Sequence, residues 1–237
     1  MYQNKRYILF KSMDSKVIGS AFPQVEGLYS NEFPYVDTSS FLRKKITQPI
    51  KFPPFKLKYR AKLTDLLSCN ITLFPSQALI SPKFLKILIN FISYEFQIFD
   101  VIVIDKQGNH LPYKIIHQYQ HKNDYVDYSK TVFELTSYDF TVSPPTSEKR
   151  EFQVGSFEEF EIFNRSHKKS TTCAKKFYLK EDSIQLDFFT IIGPSIWVIN
   201  ERVAEALIQE KITGLSIIPL KQGEDFCSES VVKKAIK

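Results

Sequence analysis

The sequence predicts an α+β fold, a mostly antiparallel β-sheet with two main helices, formed by a single domain over residues 1–237. Three stretches carry that reading. They are a helix opening after Ser81-Pro82, two strand-like runs about a turn at Gly108, and a strand, capped helix and strand between Ile196 and Leu220. With 43% hydrophobic and 24% charged residues, the 237-residue chain can bury a sizeable core and is neither disordered nor collagen-like.

Taken in chain order, the start from Met1 to Lys16 has an apolar run only from Tyr7 to Phe10, too short for the core of a signal peptide. Residues 1–62 form a basic N-terminal segment with 12 basic and 4 acidic groups, against 6 and 8 in residues 63–147 and 14 and 14 in the remainder. The net charge of +6 is therefore N-terminal. Within this segment Arg43 to Lys62 holds eight basic residues, no acid, three prolines, and Phe52, Phe55 and Tyr59. Proline fixes φ and lacks an amide donor, so this stretch is expected to be an extended, loop-like strap.

Ser81 can cap a helix whose first residue is Pro82, and the helix is expected over 82–92. Lys83, Lys86, Asn90 and Ser93 make one polar stripe, and apolar residues cover the rest, so the helix should be buried on most sides. Phe96 to Asp105 and His110 to Gln120 are β-branched and aromatic runs joined by a Gly108 turn, which predicts a hairpin. Residues 142–180 are less legible. Ser143 to Glu151 reads as turn or loop, Phe157 to Asn164 as strand or short helix, and Arg165 to Thr172 as exposed. Leu186 to Ile192 and Ser195 to Ile199 read as strands broken by Gly193-Pro194. Asn200 then caps a second main helix over 201–211, with Val203, Ala204, Leu207 and Ile208 on its apolar face. Gly214 supplies a left-handed stop, Leu215 to Leu220 reads as a last strand, and the tail from Lys221 as solvated.

Several functions are excluded by what the sequence lacks. The seven glycines are never closer than eight positions, so no glycine-rich phosphate cradle or dinucleotide fingerprint is present. Cys69, Cys173 and Cys227 have no zinc-type spacing and read as reduced thiols, which together with the absence of an apolar membrane-length run points to a soluble, cytoplasmic protein. His117 and His121 have helical metal spacing, but on a strand four residues separate them by about 13 Å, so no shared ion is expected. Glu148, Glu151, Glu158, Glu159 and Glu161 read as a solvated acidic face, and there is no GxSxG elbow. Neither an enzyme nor a cofactor is expected.

Binding surfaces remain. Tyr113, Tyr119, Tyr125 and Tyr128 lie among His117, His121, Asp124 and Asp127, and tyrosine offers amphipathic contact area at low entropic cost. The same rings would equally fit half-buried places along a sheet edge. Lys44, Lys45, Lys51 and Lys58 of the strap can steer an acidic patch on a protein partner. Alternatively, phosphate-seeking charge beside Phe52, Phe55 and Tyr59 describes a nucleic-acid-associated protein that uses residues 43–62.

One stretch, Ile196 to Leu220, with its Lys211-Ile212-Thr213-Gly214-Leu215 junction, resembles the closing region of bacterial immunity proteins encoded beside polymorphic toxins, of the type grouped as immunity protein families eleven and forty-three. The similarity extends backwards through Leu186 to Ile191, Asp124 to Leu135 with a central Asp127-Tyr128-Ser129, Phe96 to Asp105 and Ala78 to Phe91, so that it spans residues 77–220. The resemblance implies a stoichiometric inhibitor that binds a cognate toxin, with no catalytic residues to carry over. The basic N-terminal segment has no counterpart in it.

Overall fold

The computed structural model describes residues 5–27, 44–47, 49–50, 52–69, 76–139, 141, 146–167, 170–181, 185–191 and 196–224. The fold is α+β, with three sheets in which all strand pairs but one are antiparallel.

A four-stranded sheet lies between the two largest cores. Its order is β11 (Phe188–Ile191), β12 (Ile196–Asn200), β1 (Arg6–Lys11), β13 (Leu215–Pro219). β1 is thus an inner strand, paired to β12 through Ile8–Val198 and to β13 through Leu9–Ile217. Alternation along β1 sends Leu9 to one core and Ile8 to the other. With Trp197 and Ile199 facing one way and Ile196 and Val198 the other, the sheet is apolar on both sides.

The first face packs against the helices α2 (Pro82–Leu88) and α4 (Glu201–Gln209) and against a second, six-stranded sheet. The order of that sheet is β2 (Val25–Gly27), β3 (Phe55–Leu57), β6 (Gln97–Ile104), β7 (His110–His117), β5 (Gln77–Ile80), β4 (Leu66–Leu67). Just past β4, Cys69 bridges Val25 of β2, and the Val25 N–H donates to Ser68 O at 3.1 Å. The two outer strands therefore meet, and the sheet closes into a small barrel filled by Val25, Phe55, Leu79, Val103 and Ile115. Closure leaves no unpaired edge at that seam.

The opposite face of the four-stranded sheet packs on α3 (Phe157–Ser166) and on the inner side of the sheet β10 (Ser170–Lys176), β8 (Val132–Asp139), β9 (Thr146–Phe152). Phe133 of β8 and Phe160 of α3 meet there with ring centroids 4.6 Å apart. A one-turn helix α1 (Ser15–Ile18), capped by Asp14, follows β1.

The junction after α4 is a structural lock. Asp65 accepts hydrogen bonds from the Thr213 N–H and hydroxyl, both at 2.9 Å, and from the Ser81 hydroxyl at 2.6 Å. Ser81 in turn caps α2 by accepting from Phe84 N. One carboxylate thus joins the barrel, the start of α2 and the entry to β13. Gly214 has φ +84°, and Ser12 N–H donates to its carbonyl at 2.9 Å.

Lys11, at the end of β1, is partly buried, and burial lowers its ammonium from the ordinary 10.5 to about 8, a shift that the nearby Cys69 opposes. Between those two pH values the unfolded chain holds a proton that the folded chain has released. Stability should therefore rise from pH 8 to 10.5, by on the order of 1–3 kcal/mol. Urea unfolding of the wild type and Lys11→Met across that range checks this, and an identical slope in both would refute it.

The two main helices are found, but shorter than expected over 82–92 and 201–211. The α2 helix stops at Leu88, and the Ile92 N–H instead donates to Asp187 at 2.8 Å, which leaves Ile89 and Ile92 exposed. α4 ends at Gln209. The hairpin forms as β6 and β7, in register from Gln97–His117 to Ile104–His110. Part of the expected loop Ser143 to Glu151 is instead strand β9, six of whose seven residues are exposed and which pairs with β8, with Phe152 stacked on Phe133 at 5.5 Å. Similarly, β10 begins at Ser170, within the stretch expected to be exposed. The strap is extended as expected but is no free loop, because Phe55 and Leu57 belong to the barrel core. The Gly193-Pro194 break and most of the tail lie outside the described residues. Among the described residues, no helix is long and apolar enough to cross a membrane.

Candidate partner-binding cleft

The four tyrosines do not share a surface. Tyr113, 6% exposed, belongs to the barrel core, and its hydroxyl donates to Thr64 O at 2.9 Å. Tyr119 is 8% exposed beside His117, and Tyr128, 5% exposed, stacks on Phe133 at 6.0 Å. These three are corrected from contact anchors to buried residues, since a partner cannot reach rings that the fold already covers. Tyr125 alone is half-exposed. It meets Phe189 edge-on at 5.3 Å and carries the Lys122 ammonium 5.2 Å from its ring.

The strap lysines are held to different degrees. Lys44 is exposed, and its carbonyl accepts from His117 Nε2 at 3.0 Å. Lys45 pairs with Glu95, which holds that carboxylate below its usual range. Lys58 pairs with Glu26 at 3.2 Å. Lys51 lies outside the described residues. Both backbone groups of Ile46 are bound by the Gln97 amide, at 2.7 and 2.8 Å, so the strap is fastened to the end of the barrel.

His117 and His121 do not converge. His117 is fully buried at the end of β7, and burial lowers its pKa, opposed by the Lys44 carbonyl. His121 reaches Thr190 Oγ1 at 3.0 Å instead. Among the described residues no group of three or more His, Cys, Asp or Glu is placed to hold a metal ion. Cys69 is a buried free thiol, whereas Cys173 is disulfide-bonded, which corrects the reading of all three cysteines as reduced.

An open cleft of about 530 Å³ lies where the tyrosine-rich segment ends. One wall is the chain from Asn123 to Ser129, and the other is the start of α3, from Gly155 to Glu158. The first wall is fixed by a 3₁₀ turn over Asn123–Tyr125, by Asp127 N–H donating to Tyr178 O at 3.0 Å, and by Lys180 N–H donating to Tyr125 O at 2.8 Å. The second is fixed by a reciprocal cap. Ser156 Oγ accepts from Glu159 N at 3.2 Å, and the Glu159 carboxylate accepts from Gly155 N at 2.7 Å. Asp124, Asp127 and Glu158 put three carboxylates into this cleft against one ammonium, Lys180. Asp127 is partly satisfied by the Ser129 hydroxyl at 2.6 Å and Lys130 at 2.9 Å, which lower its pKa.

The second wall was not expected to contribute. Its signal was present as Ser156-x-x-Glu159, a capping-box spacing that marks a helix start and would have taken Glu158 and Glu159 out of an undifferentiated acidic run. No protein-family model matches this chain, and no curated protein matches it in sequence.

Proposed function

We propose that this chain is an immunity protein that binds a cognate polymorphic toxin and neutralises it by stoichiometric occlusion, without turnover. The observation that carries the reading is the placement of Asp127-Tyr128-Ser129, the centre of the resemblance, in the wall of an open cleft. An occluding surface needs fixed groups and no reacting atoms, and both walls are pinned by backbone hydrogen bonds and caps. The junction at Thr213-Gly214, by contrast, has its Thr213 N–H and hydroxyl already engaged by Asp65, so its part in the resemblance is architectural.

The cytoplasm is the proposed site of action, where a toxin producer protects itself. The Cys173 disulfide is the observation against that compartment, since cytosolic disulfides are rare.

The test is co-expression with the product of the adjacent reading frame. That product is expected to arrest growth alone, to be harmless beside this chain, and to elute with it as a 1:1 complex. A non-toxic neighbour, or toxicity that survives co-expression, overturns the reading. Tyr59 is 85% exposed next to Arg60 and favours the nucleic-acid alternative. If toxicity survives and a labelled oligonucleotide is bound in a salt-dependent way that is lost on neutralising Lys44, Lys45, Lys51 and Lys58, the function moves to nucleic acid.

A further inference from the structure

In the three-stranded sheet, β10 is an edge strand that among the described residues pairs only with β8. An unpaired edge is a template for another strand. The described C-terminal chain stops beside it. After β13, a turn closed by Glu224 N–H donating to Lys221 O at 3.2 Å brings Gly223 against the residue that follows β10, and Gly223 N–H donates to Phe177 O at 3.3 Å. That carbonyl is on the outer side of the sheet. The next residue, Tyr178, accepts from Asp127 N–H and donates to Thr131 Oγ1 in the chain leading into β8, and successive extended residues turn their backbone groups opposite ways.

Four positions separate Gly223 from Cys227, and four separate Phe177 from Cys173. The chain has three cysteines, of which Cys69 is a free thiol and Cys173 is disulfide-bonded. We propose that Cys227 is the partner of Cys173, and that residues 225–227, which lie outside the described residues, run antiparallel along the outer edge of β10 and cover it. The lengths agree. At roughly 3.3 Å per residue, Cys173 stands about 13 Å back from Phe177, and four extended residues from Gly223 span the same distance. A helical turn of four rises only about 6 Å, which leaves the cysteines too far apart for the Cα separation of about 4.4–6.8 Å that a disulfide requires. Opposed residues of antiparallel strands, about 4.5–5.5 Å apart, fall inside that window. The bulge between Ala174 and Lys176 shortens the path along β10, so the reach is not exceeded.

The bond falls on the outer face of the sheet. Thr172 and Ala174, on either side of Cys173, face inward, the first donating to Asn164 of α3 at 2.9 Å and the second packing in the core. Forming it removes two electrons and two protons from the thiols. With oxidised glutathione, one cysteine displaces a first glutathione and the other cysteine displaces the second, so one disulfide is exchanged for another. Opening it frees a tail and a strand edge and leaves the three cores packed. The staple does not depend on the immunity reading.

Two measurements test it. In the first, the full chain is equilibrated with oxidised glutathione, alkylated with N-ethylmaleimide in denaturant and digested with trypsin without reduction. Peptides 170–175 and 222–233 are expected to be joined through Cys173 and Cys227, with one maleimide on Cys69. A link from Cys173 to Cys69, a link between the Cys173 residues of two chains, or Cys173 carrying maleimide or glutathione overturns the proposal.

In the second, amide exchange of the ¹⁵N-labelled full chain is followed before and after a phosphine reduces the bond, and in Cys227→Ser. At least one amide of residues 172–177 is expected to exchange about ten-fold faster or more once the bond is gone, while β6 and β7 of the barrel keep their protection. Unchanged exchange at 172–177 would mean that the tail is tied to β10 without covering its edge, and overturns the pairing. Protection lost equally in β6 and β7 would make the bond a support of the whole fold, and overturns its placement outside the cores.

Discussion

Gly214→Ala is expected to cost about 3–5 kcal/mol. At φ +84° an L side chain is strained, and here there is also no room, since a Cβ would stand 2.2 Å from Leu66 O and 2.6 Å from Thr64 Oγ1. Both atoms belong to the chain entering the barrel, so relief would require separating β13 from β4. Gly108 supplies the control. Its φ is +86°, yet nothing lies within 4 Å of a Cβ there, so Gly108→Ala should cost only about 1 kcal/mol. Urea unfolding followed by the fluorescence of the sole tryptophan measures both variants. Equal losses would show that dihedral strain, and not the close approach, is all that Gly214 provides.

Trp197→Ala is expected to lose about 3–5 kcal/mol, a large part of the 5–15 kcal/mol that holds a typical domain together. Trp197 is fully buried, with the Phe84 and Phe188 rings 6.4 and 6.3 Å away, where the four-stranded sheet meets α2 and α4. Removing the indole would open a void that three rigid elements border and none can fill by itself. Ile208→Ala, on α4 but 64% exposed, should change stability by less than about 0.5 kcal/mol. Because the substitution removes the fluorophore, circular dichroism is the readout. A small loss at Trp197 would mean that this core can collapse around the gap.

The elements legible in the sequence are those whose evidence is local. Ser81-Pro82, Asn200 and the Gly108 turn announce their helices and hairpin within a few residues, because caps and turns act on neighbouring amides. β1 was not legible. Tyr7 to Phe10 is a short apolar run whose partners, Ile199 to Trp197 and Pro219 to Ser216, lie some two hundred positions away. β9 was hidden for the opposite reason, since a strand exposed at six of seven positions has no apolar alternation to read.

At the candidate site, part of the tyrosine-rich segment borders the cleft, but composition does not separate its buried rings from the half-exposed one. A tyrosine whose hydroxyl meets a carbonyl across the barrel, as Tyr113 does with Thr64, and one left half-exposed, as Tyr125 is, look alike in sequence. The cleft needed two segments some thirty residues apart, and only the packing of α3 brings them together.

The inner position of β1 also sets a timetable. Its residues are among the first described and the strand that completes their pairing, β13, among the last, with 204 positions between Lys11 and Leu215. At translation rates of about 5–20 residues per second, the early strand waits roughly 10–40 s on the ribosome before its second neighbour exists. The barrel and α3 can form in that interval, but the sheet that joins them cannot. Assembly of that sheet is thus deferred until β13 has been made, and a product truncated before Leu215 would have an apolar Tyr7–Phe10 strand open to mispairing.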